Sequence, residues 1–164
     1  MGACADLPVL ECEVPKEGLK LDLVLRPRDP VDGELQYWPL FNAANPEEHF
    51  GNMRFKIHRG GVVTLKITLD LSEVPCRELE FARCHHHKLD GIIALSPDFR
   101  HQFRARARAV DGEYTKLVIK IRDKKHIPDN FSFLWMCVDP ETGMHFVSGD
   151  PKAEIDPLPP TGGW

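Results

Sequence analysis

A chain of 164 residues, 42% hydrophobic and 28% charged, has the balance of a folded globular protein, which excludes a charge-rich disordered segment. At this length one domain removes roughly two-thirds of its unfolded surface from water without help from disulfides or metal. A formal charge of -4 excludes a molecule that is basic as a whole, so any anion site is a local patch.

The five cysteines, Cys4, Cys12, Cys76, Cys84 and Cys137, are odd in number and never spaced as a CxxC pair. A disulfide framework and a zinc ribbon are therefore not expected, and a reducing, cytoplasmic setting is. No apolar run approaches the roughly 18 residues of a membrane span, and residues 1–14 lack the basic start and apolar stretch of a signal peptide. Neither insertion nor export is expected.

Along the chain, strict alternation is the dominant pattern. Leu19, Leu21, Leu23 and Leu25 alternate with Lys20, Asp22 and Val24, a period of two that sets one face of a strand on a core. Residues 45–50 offer the only helix start, with Asn45 as cap, Pro46 in the first helical position and Glu47 and Glu48 in the first turn. Alternation returns in Met53, Phe55 and Ile57, then in Val63, Leu65, Ile67, Leu69 and Leu71, with Gly60 and Gly61 expected to form a hairpin between the two runs. Further strands are predicted over 74–83, 91–95, 100–109, 114–122, 131–138 and 144–148, separated by Pro, Gly and Asp turn signals.

The expected architecture is all-β: a two-sheet antiparallel β-sandwich, immunoglobulin-like or cupredoxin-like, with at most one short helix. It occupies residues 1–157 as a single domain, and residues 158–164 form a Pro/Gly-rich tail.

One hairpin can be read more closely. A two-residue turn at Asp111–Gly112 sets Arg106 opposite Leu117 and mixes charged with apolar faces. A three-residue loop pairs Arg106 with Lys116 and keeps Phe103, Ala105, Leu117 and Ile119 on one side. That register gathers Arg104, Arg106, Arg108, Lys116 and Lys120 on the other face, a candidate binding surface for an anionic neighbour. The competing reading is an ordinary mixed surface, with Glu78 and Glu80 on an adjacent strand cancelling the charge. Ala105, Ala107 and Ala109 need large partners across the sandwich, and Phe131, Phe133 and Trp135 are the candidates.

The run Cys84-His85-His86-His87 is the most unusual local feature, because imidazole and thiolate bind transition metals. On a strand only His85 and His87 share a face, so a zinc or copper site would use Cys84, His85 and His87 with one more histidine from His58, His101 and His145. A solvated His-rich loop accounts for the same residues. Cys137, Met144 and His145 do not follow the cupredoxin order of Cys, His, then Met, so Cys137 reads as buried core.

The closing segment, Phe131-Ser132-Phe133 through Val147-Ser148-Gly149-Asp150-Pro151 to Ile155-Asp156-Pro157, resembles the last strands of the DP-EP family of small bacterial β-sandwich proteins over about the last sixth of the chain. The resemblance implies the sandwich fold and a bacterial source, and supplies no site.

There is no GxSxG, HExxH, P-loop or dinucleotide fingerprint, and no stripe of exposed aromatics between basic residues. The function expected from sequence is thus a non-catalytic binding or protein-interaction module without cofactor, engaging a protein partner or a second copy, with no nucleic-acid or membrane partner. The alternatives are the zinc or copper site at Cys84, His85 and His87, and a hydrolase or carbohydrate-active domain with a loop-borne site.

Overall fold

The computed structural model describes residues 8–83, 89–96, 102–123, 129–149 and 152–157. Among them run thirteen strands: β1 (Val9–Val14), β2 (Leu19–Leu25), β3 (Leu40–Asn42), β4 (Asn45–Phe50), β5 (Asn52–Ile57), β6 (Val62–Leu69), β7 (Glu80–Phe81), β8 (Ile92–Ala94), β9 (Phe103–Val110), β10 (Glu113–Arg122), β11 (Asp129–Val138), β12 (His145–Val147) and β13 (Lys152–Pro157). One sheet has the order β4-β3-β2-β6-β10-β9. The other, seven-stranded, has the order β1-β5-β13-β11-β12, with β7 and β8 also paired to β11. The chain is therefore the all-β, two-sheet sandwich that its alternation predicts. No helix among the described residues is long and apolar enough to cross a membrane.

The interior follows directly from period two. Leu23 and Leu25 of β2, Val63, Leu65 and Ile67 of β6, and Leu117, Ile119 and Ile121 of β10 turn inward from one sheet. Met53, Phe55 and Ile57 of β5, with Phe131, Phe133, Trp135 and Cys137 of β11, turn inward from the other. Phe103 of β9 meets Phe131 of β11 at 4.9 Å between ring centroids, and Phe133 meets Trp135 edge-on at 5.0 Å; of the three alanines of β9, Ala105 is buried, Ala107 half-buried and Ala109 exposed, so the last needs no large partner.

Both sheets are mixed rather than purely antiparallel. β1 and β13 pair in parallel with β5, and β2 in parallel with β6. The reason lies at Gly60–Gly61, which does not close the expected hairpin: β5 and β6 belong to different sheets, so the turn is an arch across the sandwich. The turn after β1 makes the same crossing, closed by Gly18 N–H donating to Pro15 O at 2.9 Å. Two arches stacked side by side run in the same sense, which makes β1 parallel to β5 and β2 parallel to β6. Their apolar faces then meet across the interior, where a hairpin would have laid them on one sheet. Gly61 allows the stacking, since a Cβ there would stand 2.6 Å from Pro15 O.

Three other expectations need correction. Residues 45–50 form no helical turn but strand β4, paired with β3. Asn42 Oδ1 accepts the Ala44 N–H at 3.0 Å and Asn45 Oδ1 the Glu47 N–H at 3.3 Å, so local turns take the donors a helix start would need. An isolated turn is also too short to nucleate against that competition. β4 ends the sheet, and Pro46 with its exposed charges suits a protected edge.

The strand expected over 74–83 shrinks to Glu80–Phe81, because two successive tight turns occupy its start, Val74 N–H donating to Leu71 O and Arg77 N–H to Val74 O, with Pro75 inside the second. In the β9–β10 hairpin Asp111 and Gly112 both have positive φ, 52° and 84°, as a two-residue turn demands. That turn pairs Val110 with Glu113, and a bulge before Lys116 then restores parity. Lys116 thus lies opposite Arg108 rather than Arg106, while Phe103, Ala105, Leu117 and Ile119 share the inner face as expected. Residues 158–164, the expected tail, lie outside the described residues.

Candidate functional site

The outer face of the six-stranded sheet is set by register. Lys120 lies beside Arg104 on β9 and Thr64 on β6, and Thr64 beside Lys20 on β2, giving the cross-strand row Arg104-Lys120-Thr64-Lys20. The next row is Arg106-Val118-Lys66-Asp22, and the one beyond it Arg108-Lys116-Thr68-Val24. Arg122 extends the face at its other end, beside Val62. Neighbouring strands stand about 4.8 Å apart and successive rows about 6.8 Å, so these side chains form one continuous surface.

All five basic residues singled out from sequence are on this face: Arg104, Arg106, Arg108 and Lys120 are exposed and Lys116 is half-buried. The structure adds Lys20, Lys66 and Arg122, and in these rows Asp22 is the single carboxylate. Parity within β10 already places Arg122 with Lys116 and Lys120. Lys20 and Lys66 lie on alternating strands recognisable from sequence, but only the strand order brings them beside the hairpin.

The strand expected to carry Glu78 and Glu80 beside the hairpin does not form there: Glu78 belongs to no strand. Glu80 pairs with Val138 of β11, in the opposite sheet. None of the eight cations stands within ion-pair distance of a carboxylate among the described residues. At the far end of the sheet, by contrast, Arg26 binds Asp70 at 2.9 Å and Arg28 binds Glu73 at 2.8 Å.

Where the two arches meet this face, the surface sinks into a depression of about 420 Å³ whose lining includes Lys16, Lys20, Thr64, Lys120 and Arg122, with Glu17 as its one acidic side chain. The turns forming its wall carry Gly18 and Gly60 at φ of 95° and 85°. A Cβ on Gly60 would meet nothing within 4 Å, so that wall is open.

The second candidate, Cys84, His85 and His87, lies outside the described residues, as does His101. Of the other two histidines considered as ligands, His58 Nε2 stands 3.1 Å from Glu13 Oε1, and His145 is exposed on β12. Among the described residues no three His, Cys, Asp or Glu side chains group closely enough to hold a metal ion. Cys137 is fully buried, paired in register with Phe81 and Phe146, and burial pushes its thiol far up, so it is a neutral core group. Asp90 is also buried; its Oδ2 accepts the Ala107 N–H at 2.8 Å and covers part of the outer edge of β9.

No family model matches the chain, and no curated protein is significantly similar to it.

Proposed function

We propose that the protein is a non-catalytic binding module that engages an anionic partner through the outer face of β2, β6, β10 and β9. The observation that carries this reading is the run of unpaired like charges in adjacent register, Arg108 beside Lys116 and Arg104 beside Lys120. Like charges directly opposite one another destabilise a sheet by roughly 0.2–1 kcal/mol per pair. A chain with a formal charge of -4 has carboxylates enough to neutralise them, yet the three cross-strand rows hold seven cations and one carboxylate, Asp22. A multiply charged anion removes the repulsion and gains from it.

A sulfonate cation-exchange resin tests the reading at neutral pH and low ionic strength. The protein is expected to be retained despite its net negative charge and to elute with salt, and the triple variant Arg104→Gln, Arg106→Gln, Arg108→Gln to elute much earlier. A wild-type protein that flows through unretained, as its net charge alone dictates, would overturn it.

A further inference from the structure

The face is not uniform. Its charges converge on one concave point, the depression at the arch end, and the geometry points to that depression as a subsite for a phosphoryl group of a compact, soluble oligophosphate, seated over Thr64 between Lys20 and Lys120. The inference rests on the basic-face reading and names the ligand class for it.

Thr64 stands between Lys20 and Lys120 in a single cross-strand row, so the two lysine Cα atoms are about 10 Å apart with a hydroxyl midway. A tetrahedral oxyanion fills that interval. It can accept from an ammonium on either side and from the hydroxyl below, while Arg122 and Lys16 approach from the rim. A single carboxylate suits the place less well, because Glu17 on the same rim repels it and offsets much of what one lysine offers. A group carrying two or more charges, followed by further phosphates that run onto Lys66, Arg104 and Arg106, gains more from the cations than it loses to Glu17.

The concavity favours a discrete solute over a flat lipid surface. Among the described residues the exposed large apolar side chains are Val9, Val31, Leu35, Leu95, Val110 and Met144, and of these only Val110 belongs to the strands of this face, at the hairpin tip, so nothing in the rows could insert among acyl chains. Nor do the rows carry an aromatic platform for unstacked bases.

The test is calorimetric titration of the full chain with sodium tripolyphosphate, together with backbone amide shifts. Saturable one-to-one binding is expected, with the largest shifts around Lys20, Thr64, Lys120 and Arg122. Lys20→Gln and Lys120→Gln should each weaken it by about fivefold or more, and Glu17→Gln should strengthen it. Lys116→Gln, two rows away on the same face, is expected to change affinity less than about twofold. All these positions are at least partly exposed, so the variants should fold.

If Lys116→Gln weakens binding as much as Lys120→Gln, attraction is spread over the face, and the subsite falls while the basic-face reading stands. Retention on sulfonate resin without saturable tripolyphosphate binding has the same meaning. Capture by phosphatidylcholine vesicles containing a phosphatidylinositol bisphosphate, with no binding of soluble tripolyphosphate, would overturn the soluble-ligand assignment. Absence of both resin retention and tripolyphosphate binding would overturn the subsite and the basic-face reading together.

Discussion

The two outer faces of this sandwich solve the same electrostatic problem in opposite ways. On the seven-stranded sheet Glu11, Arg54 and Glu154 lie side by side across β1, β5 and β13, and the guanidinium binds its neighbours at 2.8 and 2.6 Å. Those carboxylates, Glu154 first, push the Arg54 pKa further up. In the next row of the same sheet Glu13 lies beside Lys56. On the six-stranded sheet two of the three rows set cation beside cation, Arg104 beside Lys120 and Arg108 beside Lys116, and in the row between them Lys66 lies beside Asp22. One face is neutralised within the fold and the other is left to be neutralised from outside. The fold therefore does not require the basic face, since the same chain builds a self-paired face on the same kind of ladder.

Both faces hang on one interior, and breaking it should abolish the difference. Trp135 is buried beside Phe133 at the centre of β11, so Trp135→Ala is expected to cost about 3–5 kcal/mol in urea unfolding and to expose both sheets. A smaller effect should come from the arches that set the parallel registers. In Gly61→Ala the new methyl meets backbone, the Pro15 carbonyl oxygen at 2.6 Å, and one arch must shift against the other. A loss of about 2 kcal/mol is expected, read from the urea midpoint, together with altered amide shifts on both the Glu13–Lys56 row and the Lys20–Thr64 row. Wild-type stability in this variant would mean that the arches are not in tight contact.

How far the sequence speaks for itself differs between these regions. Alternation in β2, β5, β6 and β10 is legible because their inner positions are almost all Leu, Ile, Val, Met or Phe, and the inward set follows from parity alone. β1, β3 and β13 are harder to read: Leu40–Asn42 is too short to show a period, and in Lys152–Pro157 the apolar side of the alternation is only Ala153, Ile155 and Pro157, of which Ile155 alone is a strong core former. The basic hairpin face is legible since both of its strands are adjacent in sequence. Its extension to Lys20 and Lys66 depends on β6 leaving β5 for the opposite sheet, and a Gly-Gly turn looks the same in a hairpin and an arch. The helix start at Asn45 failed for a related reason: the same Asn that caps a helix also closes a turn, and pairing with β3 decides which.

Charge reversal sharpens the contrast, because its sign should differ between the faces. Arg54→Glu puts three carboxylates in one row and is expected to lower the melting temperature. Lys120→Glu sets a carboxylate beside Arg104, and a gain of about 0.5 kcal/mol is expected at low salt. Added salt should shrink both effects. If Lys120→Glu destabilises as Arg54→Glu does, the like-charged rows are not under repulsion, and the central support for an external anion is removed.

The smallest effect lies where the two solutions meet on one sheet, at Arg26 and Asp70. Burial works to raise the Asp70 pKa, but the Ser72 N–H and the Arg26 guanidinium outweigh it and hold the carboxyl below its usual range. A carboxyl with a depressed folded pKa stabilises the fold fully above its unfolded value, near 4, and loses that contribution as pH falls through the lower folded value. Asp70 is partly exposed, so solvent screening limits the contribution to no more than about 0.5 kcal/mol. Asp70→Asn should therefore be slightly less stable than wild type at pH 7, with the gap closing below about pH 4 in parallel melts. A gap that stays constant down to the acid limit would mean that Asp70 acts through its turn with Ser72 and not through its charge.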